Sequence, residues 1–174
     1  MFFRKKGMTH ANPVILYLGH KDYKGRSLEQ ILGWTDADLE RTHDYIQVLF
    51  PTTERSGAVR GSPVLSFEML RDINTNRLNV LRQIQLGLHS SLTRMLNFYG
   101  LELSGDVDSP EPFIFETGVQ PYVNWRSEGN HNSRRISRII SCLRLFGLHL
   151  LANAFSMYLQ QTLPNHSSRC YWGY

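Results

Sequence analysis

From Leu78 onward the apolar residues recur at intervals of three and four: Leu78, Leu81, Ile84, Leu88, Leu92, Met95 with Leu96, and Tyr99. That spacing gathers them on one side of an α-helix. A strand cannot do so, because its side chains alternate with a period of two. The spacing predicts a helix over residues 76–99, stopped by Gly100. A stripe of this length has to be buried against other elements, so the rest of the chain must supply partners for it.

Those partners are also read as helices. Ser27 and Gln30 have the spacing of a capping box, opening a short helix that ends before Gly33. Thr35 caps the next, expected over residues 36–50, with Asp38 near its positive end and Pro51 as its stop. Residues 51–63 read as a turn-rich loop, and Ser66 caps a short helix carrying Phe67, Met69 and Leu70. Asn132 or Ser133 caps another, whose buried stripe is Ile136, Ile139, Ile140, Leu143 and Phe146. After Gly147 a last helix carries Leu151, Ala152, Phe155 and Leu159, and Pro164 lies beyond its end. Val14–Leu18 is apolar and short enough for an extended piece. The fold expected is all-α: one compact bundle of about five or six helices, with a long ordered loop (104–130) before the penultimate helix. The boundaries are an irregular segment 1–26, a helical core 27–163 and a C-terminal tail 164–174.

Composition narrows the class. A chain of 174 residues that is 41% hydrophobic and 20% charged is an ordinary globular protein rather than a disordered one. No apolar run approaches the roughly 20 residues of a membrane span, and the basic N-terminus has no apolar stretch of the secretory type behind it. A soluble, intracellular protein is expected, cytoplasmic, or nuclear in a eukaryote. Cys142 lies in an apolar stripe and is read as a buried thiol, and neither it nor Cys170 has the spacing of a zinc ligand. No cofactor, metal site or catalytic motif is read. The net charge is +4, and 15 of the 19 basic residues are arginine, whose planar donor fork suits carboxylates and phosphates.

Three groups of polar residues have chemistry to offer. In the first, His43 and Gln47 stand one turn apart, as do Glu40 and Asp44, with Tyr45 between. His43 can donate, accept or ligate, or His43 and Asp44 can simply satisfy a helix end. In the second, Trp125 and Arg126 precede Asn130, His131 and Asn132 at a helix start, where side chains cap orphan N–H groups or help to hold an anion. The third is the arginine set Arg134, Arg135, Arg138 and Arg144. Arg135, at the apolar edge, is expected to pair with a carboxylate such as Asp44, because a charge at a core boundary is almost never left unpaired.

The segment His43-Asp-Tyr-Ile-Gln-Val-Leu-Phe-Pro51 resembles the signature of the opioid growth factor receptor family, which reads His-Asp-Tyr-Ile-Gln-Trp-Leu-Phe-Pro. Leu39-Glu40, Ser62-Pro63-Val64-Leu65, Phe98-Tyr99-Gly100-Leu101, Trp125, Asn130-His131-Asn132, Arg135–Ile139 and Leu143–Leu148 agree in order, so the match runs from about Trp34 to Leu159. The resemblance implies a helical receptor-type domain; the vertebrate member binds an enkephalin peptide, acts in growth inhibition and associates with the nucleus. Vertebrate members carry long extra segments, and the expectation here is a minimal homologue of microbial type. Val48 stands where the signature has Trp, which raises the question of a different ligand. The leading expectation is a non-catalytic module for a peptide or small molecule, using His43, Asp44, Tyr45, Gln47, Trp125, Arg126, Asn130, His131, Asn132 and Arg135. Two alternatives stand beside it: a metal-dependent enzyme using His43, Asp44 and His131, and a nucleic-acid or anion binder using Arg134, Arg138 and Arg144. Oligomeric state is not legible.

Overall fold

The structure is a computed structural model that describes residues 12–57, 59 and 61–173. The part of the irregular segment expected before residue 12 lies outside these. The chain divides into two compact units, Met1–Ile84 and Gln85–Tyr174. Among the described residues there are eight α-helices, one 3₁₀ turn and two strands. The helical class is as expected; the strands, and the larger number of helices, are not.

In the first unit the capping chemistry sets the element boundaries. Val14 to Leu18 is a buried 3₁₀ turn, Ile15–Leu18, rather than an extended piece. The Asn12 side chain accepts from the Val14 N–H at 3.1 Å, which starts the turn. Helix α1, Leu28–Leu32, opens with the Ser27–Gln30 capping box, both halves of which form. Helix α2, Asp36–Arg41, opens at Thr35, whose hydroxyl accepts from the Asp38 N–H. The single helix expected over residues 36–50 is broken. Thr42 is extended (φ −94°, ψ 126°), and a separate helix α3, Tyr45–Leu49, follows. All five residues of α3 are buried, so it is a core plug without an exposed face. Ser66 caps α4, Phe67–Asn76, which is longer than expected because Ile73 adds a second buried turn.

Helix α5, Leu78–Phe98, follows a break at Arg77. Its stripe is buried from Ile84 through Leu88, Leu92, Met95, Leu96 and Tyr99. Leu78, in the first turn, is exposed instead.

The second unit contains the rest of α5, strands β1 (Leu101–Ser104) and β2 (Phe113–Glu116), and helices α6 (Asn132–Leu145), α7 (His149–Thr162) and α8 (Arg169–Trp172). The strands pair antiparallel, with Glu102 opposite Phe115 and Ser104 opposite Phe113. Every residue expected in the α6 and α7 stripes is buried. Helices α6 and α7 pack on each other, β2 lies against α7, and α8 touches both helices. The tail is thus part of the fold. Trp172 is buried, its indole N–H points at the Ser133 carbonyl, and its ring stacks 4.8 Å from that of His166.

Gly100 turns the chain from α5 into β1. Its φ is +72°, and a Cβ there would lie 2.8 Å from the Val119 carbonyl oxygen, so glycine is required twice over. The carbonyls at this helix end are not left to solvent. The Gly100 oxygen accepts from the Thr117 N–H and hydroxyl, both at 3.1 Å, and the Tyr99 oxygen accepts from the Trp125 indole at 2.9 Å. This explains why the long 104–130 segment is ordered: it closes over the end of α5.

Candidate functional site

The His43–Pro51 signature in the first unit is mostly interior. His43 is exposed in the link before α3, and Asp44, Tyr45 and Gln47 are buried. Tyr45 meets Trp34 edge-on at 5.8 Å. The Gln47 amide faces its N–H groups to the His43 and Asp44 carbonyls, at 3.1 and 3.0 Å, and accepts from the Ser56 hydroxyl at 3.0 Å. It therefore ties Ser56, beyond Pro51, to the turn that opens α3. Val48 is only 4% exposed. The position at which the signature has Trp therefore faces the interior of this chain.

Asp44 does find an arginine, but the arginine is Arg26. The Arg26 guanidinium grips both Asp44 oxygens, at 3.2 and 3.0 Å, and also reaches Asp22 through Nε at 2.7 Å. Lys24 Nζ adds a contact to Asp44 at 3.0 Å, and the Tyr23 hydroxyl donates to it at 3.2 Å. Asp22 also accepts the N–H groups of Lys24 and Arg26, both at 2.9 Å, so the loop folds around its own carboxylate. The Arg26 guanidinium lies 5.5 Å from the Trp34 ring centre. Burial pushes the Asp44 carboxyl up, but hydrogen bonds and charge from Lys24 and Arg26 outweigh it and hold the carboxyl below its ordinary value. Burial, then the Asp44 charge beside it, pushes the Tyr23 phenol up to about 12. Arg135, the partner expected for Asp44, is buried on α6 and donates to Asn132 Oδ1 at 3.1 Å.

In the second unit the Trp125–Asn132 group is drawn into one tight turn. Asn130 Oδ1 accepts from the Asn132 N–H at 2.9 Å and from its amide at 3.1 Å, while Asn130 Nδ2 donates to the Asn124 carbonyl at 3.2 Å. The N-cap position is His131, whose side chain makes no capping bond; Asn130, one residue earlier, accepts the first helical N–H, rather than Asn132 or Ser133 acting as the cap. Asn132 is fully buried, and its Oδ1 also faces the Tyr99 hydroxyl at 3.4 Å. His131 is exposed at the start of α6.

Trp125 is buried, and Arg126 lies 5.0 Å from its ring centre on the outside. Arg126 Nη2 donates to Glu116 Oε1 at 2.8 Å and to the Tyr158 hydroxyl at 2.9 Å; that hydroxyl donates to the same Glu116 oxygen at 3.0 Å. Burial, then the hydrogen bond to Glu116, raises the Tyr158 phenol above its ordinary value. Arg126 Nε is buried and has no hydrogen-bond partner among the described residues. Of the arginine set, Arg144 donates to the Gly173 carbonyl at 2.7 Å and the Ser156 hydroxyl at 3.3 Å, so it anchors the tail.

Sequence reasoning missed Asp22, Tyr23, Lys24 and Arg26 in the first unit, and Glu116 and Tyr158 in the second. The first four had a signal, an Asp and an Arg four apart around Gly25. Glu116 ends a Phe-Ile-Phe run that follows two prolines, which is a strand signal.

The opioid growth factor receptor (OGFr) conserved region matches this chain over residues 24–170. The human opioid growth factor receptor is 34% identical over 147 residues, covering 80% of this chain and 20% of its own length. The mouse and rat receptors are each 30% identical over 150 residues, covering 82% of this chain and 22% and 24% of their lengths. The chain therefore spans about a fifth to a quarter of the relatives it matches. No solved structure matches it. No helix among the described residues is long and apolar enough to cross a membrane. On this match, over most of its length, the chain belongs to the opioid growth factor receptor family.

Proposed function

We propose that this chain is a non-catalytic binding module that holds a peptide at the Trp125–Asn132 turn of its second unit. The observation that carries the reading is Arg126. Its guanidinium is preset by the Trp125 ring, Glu116 and Tyr158, while the side chain stays 35% exposed. A preset, half-open arginine beside a large aromatic is the kind of anchor on which peptide interfaces concentrate their energy. Asn130, Asn132 and the buried Trp125 act as the frame, with His131 exposed beside them. The names of the human, mouse and rat relatives point to a growth-factor peptide as the ligand class. An intracellular site of action, nuclear in a eukaryotic cell, goes with this reading.

The metal-enzyme alternative draws less support, because the Asp44 carboxylate is already engaged by Arg26, Lys24 and Tyr23. The arginine-stripe alternative loses Arg144 to the Gly173 carbonyl. The test is a calorimetric titration of the full chain with an enkephalin pentapeptide. Saturable binding that weakens roughly tenfold in Arg126→Ala is expected. Absence of binding, or equal binding by the variant with its fold intact, overturns the proposal.

A further inference from the structure

The β1–β2 hairpin has two unlike faces. Leu101 and Ile114 point inward and are buried. Glu102, Ser104, Phe113 and Phe115 share the other face by register and alternation. Phe113 is 56% exposed and Phe115 38%, and their rings lie 5.6 Å apart. Neighbouring aromatics this open on a short strand are unusual unless something covers them. Because the sheet has two strands among the described residues, each also keeps one edge outside the ladder.

Charge identifies the occupant. From Leu101 to Phe115 the chain carries four carboxylates, Glu102 on β1 and Asp106, Asp108 and Glu111 in the turn joining β1 to β2, and no basic residue, although the whole protein is net positive; Glu116, on the inner face, is paired with Arg126. Glu102 stands directly opposite Phe115 on the open face. Acidic residues on β1 and in the adjoining turn, with Glu102 directly beside the rings, repel nucleic acid and acidic lipid. They also oppose a second copy of the same hairpin, since a self-complementary contact would set like charges against each other. What they attract is a cationic strand, whose guanidinium or ammonium groups can lie over the rings and meet these carboxylates.

We infer that the outer face of this hairpin docks an extended, arginine- or lysine-bearing segment of a partner protein. The surface is separate from the Arg126 turn, because Phe113 and Phe115 face away from the side of β2 on which Glu116 meets Tyr158. It adds a second contact to the module rather than redefining the first.

The experiment uses the full chain and two fluorescent peptides, one alternating Arg with Val and one alternating Glu with Val. Anisotropy should show saturable binding of the Arg peptide alone, weakening with added salt. The Phe113→Ser/Phe115→Ser double variant should lose roughly tenfold in affinity, and Glu102→Gln/Glu111→Gln a smaller factor. The double variant should still bind the enkephalin pentapeptide as the unmodified chain does, which separates failure here from failure of the Arg126 proposal. Equal binding of both peptides, no loss in the phenylalanine variant, or a hairpin-dependent dimer in sedimentation velocity overturns the inference.

Discussion

The two units contain the same four-part cluster and use it differently. In the first, Arg26 lies over Trp34, grips Asp44, and shares that carboxylate with the Tyr23 hydroxyl. In the second, Arg126 lies over Trp125, grips Glu116, and shares it with the Tyr158 hydroxyl. The first cluster adds Asp22 and is shut, with the Arg26 and Asp44 side chains 14% and 10% exposed. The second is open, at 35% and 54% for Arg126 and Glu116. A closed ion cluster acts as a structural tie, whereas an open one contributes little to stability and keeps its donors accessible. Identical chemistry therefore gives a fastener in one unit and a candidate recognition site in the other, and the difference is burial.

The largest effect should follow from opening the closed cluster. Asp44→Asn removes the charge-assisted bonds from Arg26 and Lys24, leaves Asp22 as the only carboxylate on Arg26 among the described residues, and should cost about 2.5 kcal/mol in urea unfolding. A loss below about 0.5 kcal/mol, the range of ordinary surface changes, would break the contrast between the units. The same variant fixes the pH dependence. Folding lowers the Asp44 carboxyl, so its contribution is complete above the ordinary carboxylate value and drains as pH falls through the folded one. The acid side of the stability curve should therefore be flatter in Asp44→Asn.

Trp125→Phe should come next. It leaves the Tyr99 carbonyl without its indole donor and should cost about 2 kcal/mol. Arg126→Ala should cost at most about 1 kcal/mol while reducing peptide binding, because its ion pair is largely solvated. A larger stability loss would make the second cluster a fastener too. The smallest effect concerns Tyr23. Its phenol, pushed up to about 12, should stay protonated after ordinary tyrosines have ionised. Stability tied to it holds below the ordinary value and is lost as pH rises through the folded one. The tyrosinate absorbance difference between the unmodified chain and Tyr23→Phe should appear late in the titration.

Much of this frame was legible from local chemistry. The caps at Ser27, Thr35 and Ser66 act within three residues of themselves, so residue spacing alone finds them. The stripes of α5, α6 and α7 were legible because one buried face repeats. The break at Thr42 was not, since Leu39, Ile46 and Leu49 suit one helix or two equally well. The hairpin was obscured because Phe-Ile-Phe shows no polar alternation. The Asp44 partner was misplaced because Arg26 and Arg135 are both plausible arginines, and only the folded path of the 22–26 loop selects one. The Tyr158–Glu116–Arg126 set joins residues 32 and 42 positions apart, beyond the reach of any local rule.

The helix-end closure at Tyr99 has a practical use. Its indole donor, Trp125, and the Trp172 indole both point at backbone carbonyls of the second unit, whereas Trp34 belongs to the first. The Trp125 and Trp172 indole proton resonances therefore serve as built-in clocks that time solvent entry into the second unit.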